Sequence, residues 1–265
     1  MKKVQNSLKA TIVTLCIMMS GILAPPSTAQ DLTTNTEIIP LITYHSHIPF
    51  VTNKDVGLTY ELASYLNNKA DKQYRFEVRV MSRLRINLLI EKPKTVVVPW
   101  VNPLWFNDKE ETKFLWTQQV LLKDKNVVVS RKDDMIIYNG PNSLAGLKFG
   151  GLRGHHYVEI DDYISKTANT IRIDSDGHIS NFMKLSKGRI DVTITPSSAV
   201  NYFIKQMNLY DDLFISPRPH SSYNRRIFVN NKREDIRDFL DQALKAMVND
   251  PTWQAILDTY SSGEK

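Results

Sequence analysis

The chain has 265 residues, 42% of them hydrophobic and 23% charged, with a formal net charge of +6. That length exceeds what a marginal core needs and allows one or two domains. No low-complexity tract and no segment recurring at a fixed period is present, which argues against solenoids and propellers.

Lys2, Lys3 and Lys9 form a basic leader, followed by an almost wholly apolar run over residues 10–23. Pro25 and Pro26 break that run, and Ser27-Thr28-Ala29 supplies the small residues of a signal-peptidase site. The pattern predicts a secretory signal over residues 1–29, cleaved after Ala29. The apolar run falls short of the ~20 residues that span a bilayer, so export outweighs anchoring. Cys16, the single cysteine, lies inside the run behind Leu15 and leaves with it, so no disulfide or thiol chemistry is expected. Losing the three leader lysines lowers the net charge from +6 to +3. Without a basic stripe interleaved with aromatics, nucleic acid is not an expected partner.

Strand-like and helix-like runs then alternate. Residues 38–44 read as a strand, and 58–68 as a helix with Leu58, Leu62 and Leu66 on one face. Phe76, Val78 and Val80 alternate as a strand, and Ser82 caps a helix through Ile90 whose Leu84, Leu88 and Leu89 share one side. Residues 95–98 form an apolar strand ended by Pro99. This β-α-β-α-β order predicts an α/β fold, a mainly parallel sheet with helices on both faces.

The pattern restarts after the β-branched run 126–129, and the polar stretch 131–142 reads as a crossing between domains. Strands are expected over 148–152, 170–173, 191–195, 213–216 and 226–229. Helices are expected over 157–166, 178–186, 197–207, 233–248 and 251–260. Two units of similar size imply two lobes: residues 30–129 with 219–265, and an inserted lobe over 130–218.

Several segments resemble the bacterial extracellular solute-binding proteins of family 3, the amino-acid-type receptors of ABC uptake systems. Residues 43–50, Thr-Tyr-His-Ser-His-Ile-Pro-Phe, and Gly57-Leu58-Thr59-Tyr60-Glu61-Leu62-Ala63 are similar to that family's opening strand, loop and first helix. Leu144-Ala145-Gly146 through Gly154 resembles its second-lobe entry, and Gly188-Arg189-Ile190-Asp191-Val192 a later strand start. The resemblance implies a two-lobed type II periplasmic-binding fold that closes on a small-molecule solute. It also implies a periplasmic location, an inner-membrane ABC permease or a membrane sensor as partner, a monomer, and no cofactor. The family's arginine clamp for an amino-acid carboxylate has no counterpart at Asn107-Asp108-Lys109-Glu110-Glu111, and its amino-group aspartate is replaced at Pro196. An ordinary amino acid is therefore not the expected ligand.

In such a fold ligands sit beyond the carboxyl ends of the strands. That places Tyr44, His45, Ser46 and His47 beside a solute, against the alternative of a plain turn with a packed aromatic. The spacing His45-x-His47 also suits a metal, but without paired cysteines a free-histidine reading is preferred. Arg83 reads as an anchor for a planar anion or as a solvated first-turn arginine. Trp100 and Asn102 read as a wall and an amide, with Trp100 alternatively core. Arg153, Gly154, His155 and His156 precede a helix whose N–H groups and dipole suit an anion, against a bland turn. Ser197 and Ser198 are helix caps first and ligand contacts second. Arg83 and Arg153, converging from opposite walls, favour a carboxylate-bearing solute. No nucleophile motif, zinc-protease motif or phosphate loop is present, so no catalytic residue is assigned. The enzymatic alternative is dehydratase-type acid–base chemistry through Glu110 or Glu111.

Overall fold

The computed structural model describes residues 36–262, residue 168 excepted; the leader and its cleavage site lie outside these described residues. Strand β1 (Glu37–Thr43) is followed by α1 (Leu58–Lys69), β2 (Tyr74–Val80), α2 (Arg83–Ile90) and β3 (Val97–Val101). β1 lies parallel to both β2 and β3. Its alternation divides the core: Ile39 and Leu41 pack with α1, whereas Ile42 packs under α2. The expected α1 face is inward, with Leu58, Leu62 and Leu66 buried. Ser82 accepts from the Arg85 N–H as the expected cap of α2.

Two expectations for this region are corrected. In α2 the inward pair is Ile86 and Ile90, while Leu84 and Leu88 are 71% and 64% exposed. The helix carries apolar residues on two sides, and only the position of the Ile42–Val98 core selects between them. The third strand also does not end at Pro99. Pro99 and Trp100 together oppose one residue of the partner strand, a bulge that spares proline a ladder hydrogen bond. Trp100 is left-handed there, with φ 67°.

The chain continues through β4 (Leu115–Trp116), β5 (Leu122–Arg131), β6 (Lys148–Leu152), α3 (Ile160–Thr167), β7 (Ile171–Ser175) and α4 (His178–Ser186). It closes with β8 (Val192–Pro196), α5 (Ser197–Gln206), β9 (Leu213–Ile215), β10 (Ser221–Val229), α6 (Glu234–Met247) and α7 (Pro251–Ser262). β6 lies parallel to β7 and β8, a second triad like the first. The path across the sheet is β2-β1-β3-β10-β5-β8-β6-β7.

The triads are joined by the two long antiparallel strands. β10 pairs with β5 through residues 221–225 and with β3 and β4 through residues 226–229. β5 pairs with β10 through residues 122–126 and with β8 through residues 126–130. Both strands start or extend earlier than expected because their shared stretches, Leu-Lys-Asp-Lys-Asn and Ser-Ser-Tyr-Asn-Arg, are polar. Each half of the sheet is covered on both faces. In the second half Val127 and Val129 pack with α4 and α5, and Val128, Val192 and Ile194 pack toward α3.

Candidate functional site

The carboxyl ends of both parallel triads meet in a cluster of rings around one buried ion pair. After β1, His45 is buried, with its N–H held by the Thr43 hydroxyl at 3.1 Å. Its ring lies 5.2 Å from Phe50 and 5.6 Å from His47. The His47 ring meets His178, at the start of α4, edge to face at 5.7 Å. Nδ1 of His178 lies 3.1 Å from the Thr195 hydroxyl on β8. Ile48 packs into the core of the second half. The loop after β1 therefore touches both halves.

Arg225 and Asp124 sit beneath these rings with side chains 2% and 0% exposed. Nε of Arg225 donates to Asp124 at 2.8 Å, and its terminal nitrogens donate to the Trp100 carbonyl at 2.9 Å and the Tyr223 hydroxyl at 3.1 Å. Tyr223 stands directly opposite Asp124 in the β10–β5 ladder, which makes Arg225 its diagonal neighbour. Asp124 also accepts from the Ser197 and Ser198 hydroxyls at 2.9 and 2.8 Å, and from the Ser198 N–H at 3.1 Å. Burying two charges is costly unless their remaining donors and acceptors are satisfied, and here they are. Burial raises the Asp124 pKa, but the Arg225 charge and the hydrogen bonds outweigh it and hold the carboxyl below its ordinary value.

The imidazoles respond oppositely. Burial, then the charge of Arg225, holds His45 well below its ordinary value. Burial brings His47 down to about 4, and burial with His47 as neighbour brings His178 to about 3. At neutral pH the cluster presents uncharged rings able to donate and accept hydrogen bonds. Nε2 of His45 lies 3.5 Å from an Arg225 nitrogen, a poor setting for a metal cation.

The other sequence-predicted residues fall in several places. Tyr44 is half-buried, with the Arg83 guanidinium 5.0 Å from its ring centre. Arg83 also stacks 3.6 Å over Phe106 and donates to the Trp105 carbonyl and to Asn87. Trp100 is fully buried and donates to the Thr59 hydroxyl at 3.0 Å, so it is core while its carbonyl serves Arg225. Asn102 caps the short 3-10 turn Pro103–Phe106 and donates to the Asn224 carbonyl at 3.0 Å. Ser197 does not cap α5 with its own side chain; Asp124 receives that helix end instead.

The stretch after β6 is corrected most. Arg153 is 70% exposed and pairs with Asp176, itself 88% exposed. Gly154 is exposed with φ 73°, a turn position that glycine adopts without strain. His155 packs on Tyr157, and His156 lies 3.1 Å from Asp161. α3 begins at Ile160 rather than Tyr157, and Asp161 in its first turn accepts from the Tyr157 N–H at 2.8 Å. The anion at that helix end is thus the chain's own. Arg83 and Arg153 are each engaged within their own half, so they do not converge in this structure. Glu111 pairs with Arg226, and Asp108 holds the same loop through the N–H groups of Thr112, Lys113 and Phe114.

Sequence reasoning missed Asp124, Arg225, Tyr223, Trp105 and His178. The available signal was a polar stretch ahead of each β-branched run, residues 122–126 and 221–225, which pair with one another but are too polar to read as strands. A groove of about 380 Å³ runs over Asp124, Lys125, Pro219, Tyr223 and Asn224, and a cavity of about 190 Å³ lies among Pro49, Leu58, Ser197 and Ser198.

No protein-family model matches the chain, and no curated protein matches it. Solved structures do. An ancestral arginine-binding protein bound to arginine superposes with TM-score 0.65 at 19% identity, over 84% of this chain and 97% of that one. A structure on glutathione import through GshT and the cystine ABC importer TcyBC of Streptococcus mutans gives 0.66 at 17% identity, over 86% and 96%. The amino acid ABC transporter substrate-binding protein AbpA from Streptococcus pneumoniae, bound to L-arginine, gives 0.63 at 15%, over 85% and 95%. The chain has the type II periplasmic-binding fold. Within that fold, the His47–His178 contact lies where the strand ends of the two lobes face each other.

Proposed function

We propose that the chain is a binding receptor, not an enzyme, whose two lobes close on a small polar solute for ABC-type uptake. The observation that carries this reading is the meeting of His47, after β1, with His178, whose Nδ1 lies beside the Thr195 hydroxyl near the end of β8. Neutral imidazoles and hydroxyls at facing strand ends supply donors and acceptors for a polar molecule without fixing its charge. The lobes are residues 30–129 with 219–265 and residues 130–218, joined through β5 and β10. The protein acts in the periplasm as a monomer, after cleavage of its leader, and passes solute to an inner-membrane permease.

A carboxylate-bearing solute is the class we assign. Arg153 is the freer of the two candidate arginines, because an ion pair exposed on both sides is weak and easily exchanged. The acid–base alternative has less to work with, since Glu111 is held by Arg226. Calorimetry of the mature protein against matched small acids and small amines tests the assignment. Tight binding of an acid supports it, and tight binding of an amine alone overturns the carboxylate assignment. If the bound solute alters a sensor kinase's output and a deletion strain still takes it up, the receptor serves signalling instead.

A further inference from the structure

The guanidinium of Arg225 is surrounded as a bound ligand would be. Phe50, Tyr223 and Trp105 place ring centres 4.7, 5.1 and 5.3 Å from its central carbon. A carboxylate, a backbone carbonyl and a phenol accept its hydrogen bonds. These groups come from the loop after β1, from β3 and the turn beyond it, from β5 and from β10. Ring faces, one carboxylate and neutral acceptors in a water-poor setting are what recognises a free guanidinium. We propose that Arg225 is the built-in occupant of a guanidinium-binding site, holding its walls together and excluding cationic solutes from it.

Two features distinguish this from an ordinary buried ion pair. Trp100, a bulky residue, is held at φ 67° on a bulge, a strained conformation, and its carbonyl is one of the acceptors. Asp124 is completed by Ser197 and Ser198 at the start of α5, so the carboxylate is braced from the second half of the sheet. The occupancy stands on this geometry alone; only its consequence for solute selectivity rests on the receptor reading above.

The test uses the full mature chain and ethylguanidinium, which matches the atoms that Arg225→Ala removes. Ethylguanidinium at tens of millimolar is expected to raise the melting temperature of Arg225→Ala by about 3 °C or more over matched sodium chloride. The unsubstituted protein, its site filled, is expected to show no rise. Adding Asp124→Asn to Arg225→Ala removes the charged acceptor and is expected to weaken ethylguanidinium binding roughly tenfold or more by calorimetry. If Arg225→Ala does not fold alone, refolding with ethylguanidinium is expected to recover it. No stabilisation of Arg225→Ala beyond the salt control, no recovery on refolding, or an equal rise in the unsubstituted protein would overturn the proposal. Rescue of Arg225→Ala, in a protein that binds no solute from the acid and amine panels, would leave the occupancy standing and remove the receptor reading.

Discussion

His47 and His178 meet edge to face, 5.7 Å apart, although one follows the first strand of the sheet and the other opens a helix of the second half. Both are held uncharged by burial, His47 down to about 4 and His178 to about 3. The folded state therefore binds fewer protons than the unfolded chain wherever free histidine titrates. Stability from these residues is fully present above about pH 6.5 and is lost as pH falls through the window down to about 4 and below. Each pH unit in that window removes about 1.4 kcal/mol per histidine. Thermal melts are expected to fall steadily from pH 7 to pH 4.5, with a shallower slope in His178→Asn. Melting temperatures that stay level to pH 5 would contradict the uncharged state of both rings.

The two sides of α2 are expected to respond differently to substitution. Ile86→Ala opens a cavity in the core under that helix and is expected to cost about 2–5 kcal/mol. Leu84→Lys lies on the exposed side and is expected to stay within about 0.5 kcal/mol of the parent. Urea denaturation of both variants decides which stripe is inward; a reversed order would restore the Leu84–Leu88 face.

The two candidate arginines are expected to separate into different roles. Arg83→Ala removes a donor to the Trp105 carbonyl and a cation from the face of Phe106, with an expected loss of about 1–2 kcal/mol in stability. Solute affinity is expected to change little. Arg153→Ala is expected to leave stability unchanged and to weaken an acidic solute roughly tenfold or more. Paired denaturation and calorimetry measure both quantities, and a stability loss at Arg153 with unchanged affinity is the opposite result.

Mature protein recovered from a periplasmic extract is expected to begin at Gln30, since Ser27-Thr28-Ala29 supplies the small residues before it. N-terminal sequencing that reads Met1, or a lipid found on Cys16, contradicts this.

The alternation of strands and helices was legible because apolar periodicity is local. The strand β6 and the helix α4 occupy the expected residues, and Ser82 caps where a serine before a helix should. The inward side of α2 was not legible, because a helix with two apolar stripes is ambiguous until its neighbours are placed. The site was half legible. His45 and His47 follow a strand end and so announce themselves, whereas Asp124 and Arg225 are 101 positions apart and meet only through ladder register. The loop after β6 was legible only in part: glycine, arginine and histidine before a helix suggest an anion, but the sequence does not show that Asp161 accepts from the Tyr157 N–H there.

The connections between the halves of the sheet are strands, not flexible linkers, and this constrains how the halves can part. Residues 122–126 of β5 and 221–225 of β10 form an antiparallel ribbon, laddered along that length. Two-stranded ribbons twist more strongly than wider sheets, and twist leaves the ladder hydrogen bonds in place. If the halves part as the proposed receptor requires, a rotation about this ribbon is the expected motion, with displacement growing with distance from it. In such a rotation Asp124 and Arg225, carried on the ribbon itself, would travel less than His47 and His178. The buried charge pair of the site would then lie close to the axis of that rotation.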